Sequence, residues 1–328
     1  MSRKPRGQLK FNSTLVALLV AGYGVVPFAL GANNYLMSMV VAALVIGGVA
    51  LSWALLGNLG GMISFGHSAF FGVGAYVSAL ATVRLGVPVF AGLALGGVGA
   101  VLASIVMMPV LRLRGPYFAL AILAYAHIFR ILATEWRSVT GGAGGVAGIP
   151  GFPSVLGFDF GTKLGAYLIA LTLVLGFAFV YARIRASYFG LALRAMHDSE
   201  DATRVVGVNS TMLKAAMLML SAFMAGIFGA VNAHYINFLE PDYAFNALWV
   251  TLPIVAAIFG GYRTVSGPVI GALVVYLADQ LVFKAVMPTG HQLVLGVLLV
   301  VMIVFSPSGL MPALKPLLEK RTASHAGT

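Results

Sequence analysis

Residues 60–76 read GGMISFGHSAFFGVGAY, and this stretch decides how the surrounding chain folds. It follows an apolar run at 35–56 and opens on two glycines. Further glycines occur at Gly66, Gly72 and Gly74, and the stretch also contains Ser64 and His67. Unwound backbone inside a membrane is tolerated only where protein or a water-filled cavity surrounds it. We therefore predict one broken or re-entrant segment near residues 57–70.

Long apolar runs flank this stretch on both sides. The chain has 328 residues, of which 60% are hydrophobic and 9% are charged, whereas soluble domains carry about 25% charged residues. A membrane-spanning helix needs about 20 mostly apolar residues. The sequence therefore predicts an all-α, polytopic membrane protein with about ten transmembrane helices. The predicted spans are 13–32, 35–56, 62–82, 88–110, 116–134, 165–182, 215–236, 246–261, 267–284 and 292–307.

Basic residues are distributed unevenly among the connections between these spans. With the N-terminus inside, 15 of the 20 Lys and Arg residues fall on the inner side and four on the outer side. Positive charge near membrane spans favours the cytoplasmic side. We expect cytoplasmic tails at 1–12 and 311–328, a first span that is retained, and a single transmembrane domain over 13–310. The net charge of +11 therefore indicates orientation in the bilayer, and no nucleic-acid partner is expected.

The inner connection 183–214 is long and charged, and part of it has the pattern of a short helix. Over 198–207, Asp198 is the expected N-cap and Gly207 the left-handed residue that ends the helix. Acidic residues in a first turn and a basic residue in a last turn favour the helix dipole. A helix held between two spans can dock on a soluble partner, although a solvated connecting helix has the same pattern. The candidate docking residues are Asp198, Glu200, Asp201, Ala202, Arg204 and Gly207.

Four ordered motifs resemble those of branched-chain amino acid ABC transporter permeases of the LivM type. They are residues 60–76, LRGPYFA at 113–119, TGG at 140–142 with GIP at 148–150, and GG at 260–261 with SGPVIGA at 266–272. The stretch from RAM at 194–196 through EDA at 200–202 to Gly207 resembles the family's coupling loop, which docks on the ATPase subunit. The resemblance covers about residues 35–310. Met62 stands where the family often has Gln, and His127 where it often has a carboxylate.

This resemblance implies a permease subunit of an ATP-driven importer in the bacterial cytoplasmic (inner) membrane, with both termini cytoplasmic. The implied partners are a homologous second permease, two ATP-binding subunits and a periplasmic solute-binding protein. The expected cargo is a branched-chain or other small neutral amino acid, and urea or a short amide or carboxylate is the alternative. The sequence has no phosphate-binding G-x-x-x-x-G-K-[ST] motif. We therefore expect no enzymatic activity, no metal site and no cofactor in this chain.

Polar and aromatic residues within the predicted spans are candidates for the solute path, because polar side chains at membrane depth are costly. His127 and Arg130 share one helix face and either line the path or pair with a partner such as Glu135. Ser64 and His67 either contact solute or cap the freed backbone of the broken segment. The candidate path residues are Ser64, His67, Phe70, His127 and Arg130. The outer Gly-rich connection 135–164 adds Thr140, Gly141 and Gly142.

One carboxylate favours a different class of transporter. An ion-coupled secondary transporter needs a protonatable group or an ion site at membrane depth, and Asp279 lies within the ninth predicted span. Its proximity to the end of that span also allows it to reach the interface or to pair with Lys284. The four motifs favour the ATP-driven importer over this reading.

Overall fold

The computed structural model describes residues 21–31, 33–113, 115–155, 157–305 and 309–310. Its first helical turns are α1, a π-helical turn at Ala21–Val25, and α2 (Val26–Leu30). The long helices that follow are α3 (Asn34–Gly60), α4 (His67–Leu85), α5 (Val89–Val106), α6 (Pro116–Glu135) and α8 (Lys163–Ala186), with the short α7 (Arg137–Thr140) before α8. The remainder comprises α9 (Tyr188–Asp198), α10 (Glu200–Val205), α11 (Ser210–Ile236), α12 (Pro241–Ala244), α13 (Leu248–Gly260), α14 (Gly267–Ala278), α15 (Lys284–Val286) and α16 (His291–Phe305).

The predicted all-α membrane architecture is confirmed. Within the described residues, eight helical stretches are long and apolar enough to cross a membrane, and α16 is a shorter apolar helix. These correspond to nine of the ten predicted spans. The predicted span 13–32 lies largely outside the described residues, as do the tails 1–12 and 311–328. In the described part of the chain, strand is limited to two short antiparallel pairs, β1 (Val146–Ala147) with β4 (Phe238–Leu239), and β2 (Ser154–Val155) with β3 (Phe158–Asp159).

Helix α3 forms the centre of the bundle because it is apolar all round. Its 27 residues are buried along nearly the whole length, as expected for a helix with no polar stripe. Helices α4, α5 and α11 pack together on one side of it, and α13 and α14 on another. Helices α6 and α16 lie farther out and expose aliphatic side chains such as Leu120, Ile131 and Val300, as a lipid-facing surface requires.

Small residues let the central helices approach one another closely. A Cβ on Gly74 of α4 would overlap the Gly226 backbone of α11, and a Cβ on Gly226 would overlap Ala100 of α5. Gly271 of α14 makes the same kind of contact with the backbone of α13. In membranes, where lipid is as apolar as the side chains, such close packing is a main source of helix association.

Contacts between loops and helix ends define two opposite ends of the bundle. At the end that we call the arginine end, Asn58 bonds Tyr181 at 2.7 Å and Arg185 donates to the Arg263 carbonyl at 3.1 Å. At the opposite end, which we call the glycine-loop end, residues 146–147 pair with residues 238–239. These contacts agree with the alternation of connections that the sequence predicts.

The structure corrects two predicted boundaries. The predicted span 62–82 begins as a helix only at His67, because residues 61–66 are non-helical. The predicted helix 198–207 is shorter and has a different start, since Asp198 ends α9 and α10 begins at Glu200. Serine at position 199 provides the local signal, because Ser competes for backbone hydrogen bonds in a helix interior and favours caps.

Candidate functional site: a docking helix and a re-entrant segment

Helix α10 is a short helix with hydrogen-bonded caps at both ends. The Ser199 hydroxyl, and not the predicted Asp198 carboxylate, accepts a hydrogen bond from the Ala202 N–H at 3.3 Å. At the other end Gly207 has a φ of +84°. The N–H groups of Gly207 and Val208 donate to the carbonyls of Arg204 and Thr203, which is the Schellman arrangement. The predicted role of Gly207 as the terminating residue is therefore confirmed.

A cluster of charged side chains fixes α10 to the start of α11. Glu200 bonds Arg204 at 2.8 Å and Lys214 at 2.7 Å, and Arg204 donates to the Ser210 hydroxyl at 2.7 Å. Burial alone would raise the pKa of the Glu200 carboxyl. Hydrogen bonds from Lys214 and Ser210, together with the charges of Lys214 and Arg204, outweigh burial and lower that pKa below its ordinary value. Glu200 therefore holds the helix from within, while Asp201 and Ala202 lie on its exposed side.

The tip of α10 presents two aliphatic side chains to solvent. Val205 is 87% exposed and Val206 is 77% exposed, and both directly precede Gly207. These two side chains make the tip of α10 a candidate contact surface for another protein. The sequence prediction did not include these two valines, because it rested on the charged residues of the helix and on Gly207. The available signal was the pair of apolar residues at the end of an otherwise polar helix.

Helix α9 joins α10, which we call the docking helix after its candidate role, to the bundle. Its Leu193 and Met196 are buried in the main apolar core, while His197 reaches the first residue of the helix break. Gly61 has a φ of +65°, and a Cβ there would overlap the His197 imidazole. Glycine is thus favoured at Gly61 by its backbone conformation, and a larger residue would also displace the exposed His197 ring.

Residues 61–66 turn back into the bundle. The Trp53 indole donates to the Ser64 carbonyl at 2.8 Å, and Trp53 lies about 10 Å along α3 from Gly60 at 1.5 Å per residue. Helix α3 is about 40 Å long against a hydrocarbon thickness of about 30 Å. Residues 64–67 therefore lie at membrane depth, and the predicted break is confirmed at residues 61–66; from His67 the chain continues as α4, which is long enough to cross the membrane. We call residues 61–66 the re-entrant segment.

His67 holds the inner end of this segment in place. Its Nδ1 lies 3.2 Å from the Ser64 hydroxyl and its Nε2 lies 2.9 Å from the Ser221 hydroxyl. Ser221 in turn donates to the Ser52 carbonyl at 2.9 Å. Ser64, His67 and Phe70 have no exposed surface. The structure therefore places these three predicted path residues in the interior of the subunit, where the two polar ones satisfy the freed backbone and each other.

The other two predicted path residues lie on α6. Arg130 forms an ion pair with Asp242 at 2.9 Å. Its partner therefore lies in α12 at the glycine-loop end and is not Glu135. His127 is exposed on the outer side of α6. The structure does not bring His127 and Arg130 together with Ser64, His67 and Phe70 into one cavity.

The Gly-rich connection is attached to the end of α11. Thr140 donates to the Ala133 carbonyl at 2.6 Å, and its oxygen accepts from the Gly142 N–H. Gly141 and Gly142 both have positive φ. Farther along, the His234 ring bonds the Pro150 carbonyl at 2.8 Å. Thr140, Gly141 and Gly142 thus shape a folded loop at this end of the bundle.

Asp279 lies in a π-helical turn at Asp279–Phe283. The residue is 2% exposed and its Oδ1 has no hydrogen-bond partner within the described residues. Lys284 donates to Gln280 at 3.1 Å. The expectation that Asp279 reaches the interface or forms an ion pair with Lys284 is therefore wrong. The π-helical turn changes the direction of the side chains at this point, which no periodicity in the sequence indicates.

The sequence-predicted residues form contacts between segments and exposed surfaces. Within the part of the chain that the structure describes, no cluster of three or more His, Cys, Asp or Glu side chains is placed to hold a metal ion. The candidate site therefore consists of the docking helix, its connection to the re-entrant segment, and the surfaces that the bundle presents to neighbours.

A family of known proteins matches most of the chain. The model of the family described as branched-chain amino acid transport system / permease component matches residues 34–303. No solved structure matches the chain.

Individual relatives carry related names. The high-affinity branched-chain amino acid transport system permease protein LivM of Salmonella typhimurium is 28% identical, over 95% of this chain and 78% of its own length. The probable branched-chain amino acid transport permease protein LivM of Methanocaldococcus jannaschii is 23% identical, over 86% and 85% of the two chains. The permease protein LivH of Escherichia coli, from the high-affinity system, is 24% identical over 83% and 92%.

Proposed function

The chain belongs to the family of permease components of branched-chain amino acid transport systems, and from this premise we propose that it imports branched-chain or other small neutral amino acids. It would be one of two permease subunits of an ATP-driven importer. Two ATP-binding subunits and a periplasmic solute-binding protein would complete the complex. The names of the relatives support this proposal, because LivM and LivH are both described as permease proteins of one kind of system.

The docking helix is the observation that carries the proposal. It is capped at both ends, tied by Glu200 to Lys214, and presents Val205 and Val206 outward. A rigid helix with an aliphatic tip suits a groove on a soluble partner. Because the helix is already ordered, binding costs less conformational entropy than the binding of a flexible loop would. We assign α10 to docking on an ATP-binding subunit, so that closure of the ATPases moves the membrane helices and alternates access to the solute path.

The proposed orientation places the arginine end in the cytoplasm. Described basic residues at that end include Arg112, Arg183, Arg185, Arg194 and Arg263, and positive charge favours the cytoplasmic side. The glycine-loop end would then face the periplasm, where a solute-binding protein docks. The acidic turn around Asp242 is a contact of matching chemistry for a basic surface on that protein. The chain itself would catalyse no reaction.

The test is solute-stimulated ATP hydrolysis and uptake by the assembled complex in proteoliposomes. The variant Val206→Asp places a charge on the exposed tip without touching the ion pairs of Glu200. We expect assembly of the two permeases to persist, while binding of the ATPases and uptake are lost. The matched control is Val155→Asp, an exposed valine at the glycine-loop end, and it should leave ATPase binding unchanged.

Three outcomes would contradict parts of the proposal. Full uptake by Val206→Asp would show that α10 is not the docking element. Uptake of urea in preference to leucine and alanine would show that the cargo is urea and not an amino acid. Uptake by this chain alone, driven by a proton gradient without ATP and lost in Asp279→Asn, would replace the importer by a secondary transporter.

A further inference from the structure

A groove opens on the outside of the subunit between α13 and α16. It has a volume of about 430 Å³, within the range of roughly 300–1,000 Å³ for small-molecule sites. Its deeper wall is aliphatic, from Leu252, Val255 and Leu299, and Phe65 of the re-entrant segment also lines it. Its side chains include no Asp, Glu, Lys, Arg or His.

The re-entrant segment shows that this face does not lie against lipid. Ile63 is 55% exposed and Phe65 is 37% exposed, and the segment lies at membrane depth. Among the described residues, the backbone N–H groups of Ile63 and Phe65 have no hydrogen-bond partner. Non-helical backbone at this depth is tolerated only where it is buried in protein or lines a water-filled cavity. The face that carries Phe65 is therefore covered by another subunit or filled with water.

Polar side chains in the groove support the same conclusion. Asn246, Thr251 and Gln292 are all exposed there. The Asn246 Oδ1 accepts from the Leu248 N–H at 2.9 Å, and the Thr251 hydroxyl donates to the Ala247 carbonyl at 3.2 Å. These bonds leave the Asn246 amide N–H groups and a lone pair of Thr251 available. Thr251 lies one turn inside α13, where polar groups face a bundle interior or a water-filled cavity, whereas Asn246 and Gln292 lie at the ends of their helices.

The remaining exposed surface of α16 provides the contrast. Val297, Val300, Val301 and Val304 are exposed on this helix and are 43–66% accessible. These four side chains are aliphatic, as contact with lipid requires, and Phe305 at the end of α16 is also apolar and exposed. Gln292 at the start of α16, next to the mouth of the groove, is the exception on the same helix. The groove is thus distinguished from the lipid-facing surface by its chemistry.

The groove is polar at its mouth and apolar at depth. Asn246 precedes α13 and Gln292 is the second residue of α16, so both lie towards the glycine-loop end. Thr251 follows one turn deeper on α13, and Leu299 and Phe65 lie beyond it. A molecule with a polar head and an aliphatic tail would match this order.

We propose that this groove is the subunit's wall of the solute path and that it binds a zwitterionic amino acid with an aliphatic side chain. The inference rests on the proposed importer function and adds the location and chemistry of the site. The side chain lies against Leu252, Val255 and Phe65, while Asn246, Thr251 and Gln292 hydrogen-bond the ammonium and carboxylate groups. A neutral lining suits a zwitterion of zero net charge, because a net ion would need a compensating charge at this depth.

Cysteine labelling tests this site directly, because the chain contains no cysteine. The variant Thr251→Cys changes a small exposed side chain, and Gln292→Cys provides a second position in the groove. The probe is a charged, membrane-impermeant methanethiosulfonate reagent, applied to the complex in proteoliposomes. The matched control is Val274→Cys on α14, which is 42% exposed and lies outside the groove. The wild-type complex treated with the same reagent controls for thiols in the partner subunits.

We expect both groove cysteines to react, and leucine uptake to be lost on labelling. Leucine at about ten times its dissociation constant should slow labelling roughly tenfold, by the factor 1 + [L]/Kd. The Val274→Cys complex should keep its uptake. If labelled Thr251→Cys and Gln292→Cys complexes transport at the wild-type rate, the groove is not the path. If leucine leaves their labelling rates unchanged, it is not the binding site.

These outcomes are separate from failure of the proposed function. If the wild-type complex shows no ATP-driven uptake of leucine, the importer assignment fails irrespective of the groove. The labelling rates and their dependence on leucine still report whether the groove faces water and binds an amino acid.

Discussion

Replacing Glu200 by Gln should loosen the docking helix selectively. The change removes the carboxylate that pairs with Lys214 at 2.7 Å and with Arg204 at 2.8 Å. The side chains of Glu200 and Lys214 are only 14% and 11% exposed, whereas that of Arg204 is 49% exposed. The exposed pair contributes at most about 1 kcal/mol. Leaving the Lys214 ammonium buried and unpaired costs more, and we expect about 2–3 kcal/mol in total.

Hydrogen–deuterium exchange of residues 199–209 measures this loss. A local destabilisation of 2–3 kcal/mol corresponds to roughly 30- to 150-fold faster exchange, since about 1.4 kcal/mol equals a factor of ten. Glu135→Gln, at an exposed glutamate on the glycine-loop end, is the control and should leave exchange in this segment unchanged. The double variant Glu200→Gln with Lys214→Met removes both charges and should recover most of the protection. Exchange of Glu200→Gln within threefold of wild type, or no recovery in the double variant, would refute this account.

The same ion pairs predict a response to pH. The pKa of Glu200 is lowered in the folded protein from an ordinary value of 4.5. Its stabilisation is therefore fully present above pH 4.5 and is lost as the pH falls through the lowered pKa. Protection of residues 199–209 should decline over that acidic range in wild type and stay independent of pH in the double variant.

Four further substitutions test a helix cap, a close contact between helices, a buried hydrogen bond and the helix break. Gly207→Val places a β-branched residue at a φ of +84° and should reduce the stability of α10 by about 1–3 kcal/mol, seen as faster local exchange. Gly74→Val should prevent folding, because a Cβ there meets the Gly226 backbone, whereas Gly176→Val meets open space; yield of monodisperse protein separates the two. Ser221→Ala leaves the His67 Nε2 unpaired and should reduce the free energy of unfolding by about 1–3 kcal/mol, measured by thermal unfolding. Gly61→Ala should lower uptake while ATP hydrolysis persists.

Sequence patterns predicted the elements of this fold well where burial in lipid dictates composition. Runs of about 20 apolar residues identified the long helices, and glycine density identified the break at 61–66. The charge pattern identified a short helix that ends at Gly207. Each of these features is local, since its cause lies within one or two turns of the chain.

Contacts between distant segments could not be predicted in the same way. The partner of Arg130 is Asp242, 112 residues away, whereas a reading along one helix suggested Glu135. His67 was expected either to contact solute or to cap backbone, and only the positions of Ser52 and Ser221 decide what surrounds it. The groove at Thr251 and Gln292 could not be predicted, because neither residue is unusual within its own span. Its chemistry arises only when α13 and α16 lie side by side with Phe65.

The docking helix and the groove are connected through Gly61. Helix α10 follows α9 across Ser199, and α9 is held against the core by Leu193 and Met196. His197, near the end of α9, lies against Gly61.

From Gly61 the re-entrant segment runs to His67, which is fixed to α11 and α3 through Ser221. One end of the segment thus contacts α9 through His197, while the other is held to the core by His67. Phe65 lies between the two ends and lines the groove. In the proposed mechanism, a shift of α9 would reach Phe65, and therefore the groove, through residues 61–64. A residue larger than glycine at Gly61, where φ is +65°, would strain the connection between these two surfaces.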